Sequence, residues 1–328
     1  MDLATILLHS RLSLTRFVNG PLPYQASFLQ ISFQYAGCKI IFFDAGTYVI
    51  TDTLTIPAGT QMTGEAWSVI AAKGSKFQNA SSPKVAVRVG NAGDKGLAEI
   101  SDIVFSTIGP AAGAIIVEWN IAAPDGNKGG AGLWDSHIRV GGTAGTGLQY
   151  NSCPSSGSGG TDKCAAAFMS LHLTSGSTAY HEATWVWTAD HDLDGALESQ
   201  ISIYNGRGIL DESQGPVWMV GGARFVVKLA CYLIFLTLFY SEHHTIYQYN
   251  LVNAKNHYMG LIQTETPYYQ PQPAWPAPFS LNSNFKDPAA SDNIKSAWAF
   301  RSVGSSNIFV FGAGFYSFFN VSLLGFLC

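Results

Sequence analysis

The chain has 328 residues, of which 47% are hydrophobic and only 12% charged, enough apolar content for a large core and too much for disorder. Its formal charge is −4 at pH 7, and its 18 basic residues are scattered without a Lys/Arg cluster, which excludes the electrostatic footprint of a nucleic-acid partner. Thirty-four glycines and 14 prolines among many aromatic residues favour turns and pleated strands over long helices, so an all-β architecture is expected.

Residues 1–37 form an atypical opening segment. Its start, MDLATILLHSRLSLTRF, lacks a basic region and has a short apolar run before Arg11, a poor match to a signal peptide. From there on, short strand-like runs recur every 10 to 20 residues between Gly, Asn and Asp punctuation. They are KIIFF (39–43), EISDIVF (99–105), AIIVEW (114–119), HIRVGG (137–142), FMSLHL (168–173), TWVWT (184–188), QISIYNG (200–206), PVWMV (216–220), TIYQYN (245–250) and NIFVFG (307–312). The spacing suits a sandwich, a barrel or stacked coils. No run alternates cleanly enough for a half-exposed antiparallel sheet, and several end in a small or amide residue. The segment IFFDAGTYVITDTLTIPAGTQMTGE is two extended runs joined by a Pro/Gly turn. A right-handed parallel β-helix fits best.

Within this frame, Cys153 and Cys164 bracket the loop SCPSSGSGGTDKC and are expected to close a local disulfide, with two free thiols as the alternative. There is no CxxC or HExxH pattern to hold zinc. DHDLDG (190–195) imitates the opening of a calcium loop, but its twelfth position is Ile201 where Glu is needed, so it is read as a turn. Neither metal nor cofactor is expected. The Leu/Phe-rich run RFVVKLACYLIFLTLFY (224–240) has an uninterrupted apolar part of 12 residues, too short for a membrane-spanning helix, which needs about 20. No membrane partner is expected.

Several stretches carry a resemblance: IFFDAGTY (41–48), GEAWSVI (64–70), VEWN (117–120), NGRGIL (205–210), SEHH (241–244), YNLVNAKNHYMGLIQTETPYYQP (249–271) and GAGFYSFF (312–319). Together they resemble the second β-helix domain of the fungal exo-β-1,3-glucanases of glycoside hydrolase family 55. The resemblance runs from about residue 39 to 320. It implies a pectin-lyase-like right-handed β-helix over 38–320, and an extracellular enzyme that removes glucose or short units from β-1,3-glucan with inversion. It also implies a preceding β-helix domain that completes the cleft, which this chain's opening segment does not resemble.

The resemblance assigns roles residue by residue. Glu265, in LIQTETPYY, matches the general acid, and aromatic surroundings should raise its pKa by desolvation. Tyr268 and Gln263 beside it are candidates to contact the sugar. Glu242, in SEHH, lies 23 residues earlier, about one coil, and matches a residue that helps place the attacking water. A carboxylate separation of roughly 6.5–9.5 Å would suit inversion. His243 and His244 are candidate sugar-hydroxyl partners, with solvated loop histidines as the bland alternative. Trp187, in TWVWTADHD, matches an aromatic platform for a pyranose ring, against which a core tryptophan must be weighed. Trp185, two positions earlier, shares its strand face.

The family pattern passes from a small residue directly to Ser-Glu-His-His, so residues 224–240 are expected to be an apolar insertion. Seventeen codons are 51 nucleotides, a small-intron length, and the edges can be encoded with splice signals; 321–328 is likewise expected to be an aberrant translated tail. Two other readings stand beside the glucanase: another β-helix polysaccharide enzyme such as a pectin lyase or polygalacturonase, and a glucan-binding fragment without turnover.

Overall fold

The computed structural model describes residues 40–155, 161–195, 199–221, 239–290 and 294–317. The expected opening segment 1–37, the tail 321–328, and all of the predicted insertion except its last two residues lie outside the described residues.

Every strand pairing inside the sheets is parallel, and the chain winds as a three-faced β-helix. The first face holds β1 (Ile40–Phe42), the leading part of β4 (Thr60–Ala72) and of β6 (Ala98–Thr107), then β8 (Ala131–Trp134), β11 (Ala179–Glu182), β14 (Val217–Val220) and the leading parts of β17 (Lys255–Glu265) and β19 (Ser306–Tyr316). The second face holds β2 (Gly46–Ile50), the trailing parts of those four long strands, β9 (His137–Val140), β12 (Trp185–Thr188) and β15 (Phe239–Glu242). The third runs through β3 (Leu54–Ile56), β5 (Lys84–Val89), β7 (Ala114–Trp119), β10 (Ala165–Leu173), β13 (Tyr204–Asp211), β16 (Tyr247–Val252) and β18 (Trp298–Val303).

Parallel in-register stacking brings like residues over like. On the third face Leu54, Val87, Val117, Leu171, Ile209, Tyr249 and Phe300 follow one another coil by coil, and the first six are buried. Each such rung removes apolar surface from water, worth about 25 cal/mol per Å². The central strands β13 and β16 are buried on both sides, which is why their sequences lack alternation. The second side is covered by the segment 267–290. Its Phe285 rings against Phe168, its Tyr269 against Tyr204, and its Asp287 pairs with the fully buried Arg207.

The corner between the first and second faces is made by single residues in the left-handed region: Asp102, Asp135, Ala183, Leu261 and Gly312. One such residue bends a strand sharply enough to pass from one sheet to the next without a loop. Hence β17 pairs with β14 before Leu261 and with β15 after it. That bend aims the trailing residues Gln263 and Glu265 onto the second face.

Cys153 and Cys164 form a disulfide, with Cα atoms 5.8 Å apart and both side chains buried. Asp192, from the calcium-like DHDLDG stretch, accepts from the Tyr150 and Asp194 amides and the Gln149 side chain, so its carboxylate fastens a turn.

Candidate active site

The second face carries two outward columns. In one, Trp185, Tyr240 and Gln263 succeed each other in register; in the other, Arg139, Trp187 and Glu242 do. Glu265 continues the second column, because its backbone carbonyl accepts from the His243 amide just beyond Glu242. Strand periodicity decides this layout: alternate residues of β12 face out, so Trp185 is exposed and Trp187 half-buried while Val186 between them is in the core. The two carboxylates therefore lie side by side on adjacent coils.

Gln263 joins them. Its Nε2 donates to Glu242 Oε1 at 2.8 Å and to Glu265 Oε1 at 3.4 Å. The nearest carboxylate oxygens are thus no more than two hydrogen bonds apart, short of the spacing expected for an inverting pair. On its other oxygen, Glu265 accepts from the Tyr268 hydroxyl at 2.7 Å and lies 3.3 Å from His243 Nε2. The His243 ring rests 4.9 Å from that of Tyr268, and its Nδ1 donates to the Thr188 carbonyl at 2.9 Å. Asp190 Oδ1 stands 4.0 Å from Nδ1 and bonds His191, whose ring is 5.8 Å from Trp187.

The electrostatics separate the two acids. Burial, reinforced by the charge of Glu265, pushes the Glu242 carboxyl up to about 7. Burial acts upward on Glu265 too, but hydrogen bonds from His243 and Tyr268 outweigh it and hold the carboxyl below its ordinary value. His243 has the complementary balance: burial disfavours its charge, yet the bond to Glu265 and the charges of Asp190 and Glu242 raise it to about 9. Tyr268 is raised by burial and by its bond to Glu265. The expectation of a raised Glu265 is therefore not what the free chain has. The aromatic neighbours supply a donor as well as a dry surface, and the raised acid is Glu242.

Accessibility orders them differently. Glu265 is partly open to solvent, whereas Glu242 is buried and bonded to Gln263. Of the residues expected to touch sugar, Tyr268, Gln263 and Trp187 gather here. His244 does not: it is fully buried, bonded to Ser170 and Gln248, and burial holds it neutral with its pKa down at about 3. It is a core residue locking the turn after β15. His243 is nearly buried and spends its ring on Thr188 and Glu265, so it serves an acid and not a sugar hydroxyl. The sequence reading missed Asp190 and the Thr188 carbonyl. In the sequence Asp190 reads only as part of the DHDLDG turn, and Thr188 carries no signal beyond its place one residue after Trp187; neither means anything for the site until β12 and β15 are paired.

No family model matches the chain. It is 45% identical over 279 residues to a Penicillium expansum protein named non-secreted LysM effector LysM15, covering 83% of this chain and 18% of that one. It is 45% identical over 288 residues to a probable glucan endo-1,3-beta-glucosidase of Arthroderma benhamiae, covering 86% and 31%. A glucan 1,3-beta-glucosidase of Cochliobolus carbonum matches at 38% over 283 residues, covering 86% and 33%. The chain thus spans a third or less of the length of these curated relatives. Among solved structures, sacteLam55A from Streptomyces sp. SirexAA-E superposes with a TM-score of 0.51 at 18% identity, over 89% of this chain and 41% of that one, a likeness of fold.

Proposed function

The chain is a relative of the glucan 1,3-β-glucosidases of glycoside hydrolase family 55, matched over most of its own length and about a third of theirs, and from that premise we propose that it is the acid-bearing half of a β-1,3-glucan hydrolase. The observation that carries this reading is the cluster at the end of β17: one half-open carboxylate, Glu265, fixed by Tyr268 and His243, with a second carboxyl, Glu242, buried one coil away in register with Trp187. Hydrolysis of a glycoside needs a proton for the leaving oxygen and a group that places water. Glu265 is the proton donor, because it is the carboxyl that a sugar can reach. Glu242, with Gln263, helps hold the water. Trp187 offers its face to the apolar side of a pyranose ring, and Tyr268 lines the adjoining sugar.

Water-side groups come in this reading from a preceding β-helix domain, which faces the second face and closes the cleft. Exo action and inversion go with the same assignment. The link through Gln263 is too short for Glu242 to be the second member of an inverting pair with Glu265, which is why the water-activating group is assigned to the preceding domain. The enzyme works outside the cell, where the Cys153–Cys164 disulfide persists.

The test joins this chain to the remainder of the Arthroderma benhamiae relative and assays reducing-sugar release from laminarin against pectin. Laminarin turnover is expected, with at least a tenfold loss in Glu265→Gln and glucan binding kept, because an amide cannot donate the proton. Proton NMR of the first product reads the anomer: α for inversion, β for retention. Turnover of pectin alone, or a Glu265→Gln variant above a tenth of the parent rate, would remove the assignment.

A further inference from the structure

A general acid must hold its proton when the sugar arrives, and Glu265 in the free chain is an ionised carboxylate beside a cation. We propose that His243 is the residue that loads this proton. Along the Nε2–H···Oε2 contact of 3.3 Å, the proton passes from imidazolium to carboxylate once a bound sugar shuts water out of the cleft. This inference rests on the reading of Glu265 as the glycosidic acid.

Geometry prepares His243 for the step. Its backbone is left-handed, with φ 64°, where the chain turns out of β15, and its amide is tied to the Glu265 carbonyl. Its Nδ1–H is donated to the Thr188 carbonyl, an acceptor that cannot give a proton back, so loss of a proton can occur only at Nε2. The neutral ring left behind is the Nδ1–H tautomer, and the Thr188 bond survives the transfer. Tyr268 OH continues to donate to Glu265 Oε2 from the other side, and its ring packs against His243, which keeps the pair from swinging apart.

The driving force follows from covering the pair. Desolvation raises a carboxyl and lowers an imidazolium, so both partners move toward the neutral pair at once. The groups facing His243 set the opposing balance. Asp190, from the turn after β12, stands 4.0 Å from Nδ1, and its charge favours the cation. Glu242, on its own strand, favours it only when ionised, and burial keeps that carboxyl protonated up to about pH 7. His244, next in the chain, is neutral and bonded elsewhere. Below neutrality, therefore, one carboxylate besides Glu265 holds His243 charged. In turnover Glu265 gives its proton to the leaving oxygen, returns to carboxylate, and His243 takes a proton from the medium to restore the ion pair.

The experiment observes the ring nitrogens of His243 by NMR in the ¹⁵N-histidine-labelled chain, assigned through bonds to His244. In the free chain the ring should be fully protonated at pH 7 and titrate well above 6.5; Glu265→Gln should lower that titration by at least one unit, and Asp190→Asn by less. In the chain joined to the remainder of the Arthroderma benhamiae relative, saturation at pH 7 with a sulfur-linked laminari-oligosaccharide, which cannot be cleaved, should move the Nε2 signal to that of a neutral Nδ1–H ring. A His243 that titrates identically in wild type and Glu265→Gln, or stays cationic in the sugar-bound chain, overturns the proposal. Failure of the oligosaccharide to bind the joined protein overturns the glucan reading and the handover with it, while the free-chain titration still decides whether the pair exists.

Discussion

At the scale of single residues, Glu242 and His243 tie the site to stability. A carboxyl raised on folding binds its proton more tightly in the folded chain. Its contribution is fully present below the unfolded value of 4.5 and is lost as pH climbs through about 7. His243, raised from 6.5 to about 9, behaves likewise: its contribution is present below 6.5 and lost as pH rises through about 9. Glu265, lowered, contributes above 4.5 and loses that contribution in acid. Histidines that burial lowers oppose them: His137, His181 and His244, lowered to about 4, 3 and 3, cost stability as pH falls below their unfolded value of 6.5. The chain should therefore be most stable near pH 6.5, with a decline on the order of a few kcal/mol toward pH 9. Urea unfolding at pH 5, 7 and 9 reads this directly. In Glu242→Gln stability should fall more steeply than in the wild type as pH drops from 7 to 5, because the carboxyl's opposing contribution is gone, while the decline above 7 persists; an unchanged slope between 5 and 7 would mean Glu242 is not the buried proton.

At the scale of elements, β15 and the run before it pose the sharpest question. The sequence pattern marks 224–240 as an insertion, yet Phe239 and Tyr240 form the first half of β15. Phe239 is fully buried, pairs with Ile262, stacks over His181 at 6.4 Å and offers its carbonyl to the Tyr249 hydroxyl. If the run is a translated intron, Gly222 and Ala223 take those two strand positions, Tyr240 is replaced by a small residue, and the ring over His181 is lost. Reverse-transcribed RNA across the junction is expected to lack 51 nucleotides, the length of the 17 codons. A message that keeps them makes Phe239 and Tyr240 genuine parts of the wall beside Trp185, whose ring lies 5.5 Å from Tyr240.

At the scale of the whole molecule, β19 bounds the described β-helix. Among the described residues it pairs with β17 alone, and Phe309, Phe311, Phe315 and Tyr316 are exposed along it. An uncovered parallel edge with that much aromatic surface is a template for another strand. Sedimentation velocity of the isolated chain should show concentration-dependent association, and Phe309→Lys with Phe311→Lys should reduce it by charging the edge. A chain that stays monomeric at high concentration would show the edge to be covered in solution.

The sequence by itself determined the fold class and pointed to two candidate acids. Stacked coils need many short strands with like residues at like positions, and AIIVEW (114–119), which is β7 from end to end, shows how local that signal is. Motifs are contiguous, so SEHH and LIQTETPYY name Glu242 and Glu265 without a structure. Burial could not be read that way. QISIYNG (200–206) suggested a strand from 200, whereas β13 begins at Tyr204, because pairing with β10 and β16 and the cover of 267–290 set where the strand starts. The protonation pattern was also a tertiary decision. Aromatic neighbours in sequence pointed to a raised Glu265. Parallel pairing instead set His243 and Tyr268 as donors against it and put Glu242 in the drier position. A pKa is the sum of desolvation and partners, and the partners come from different coils, brought together only when the β-helix closes.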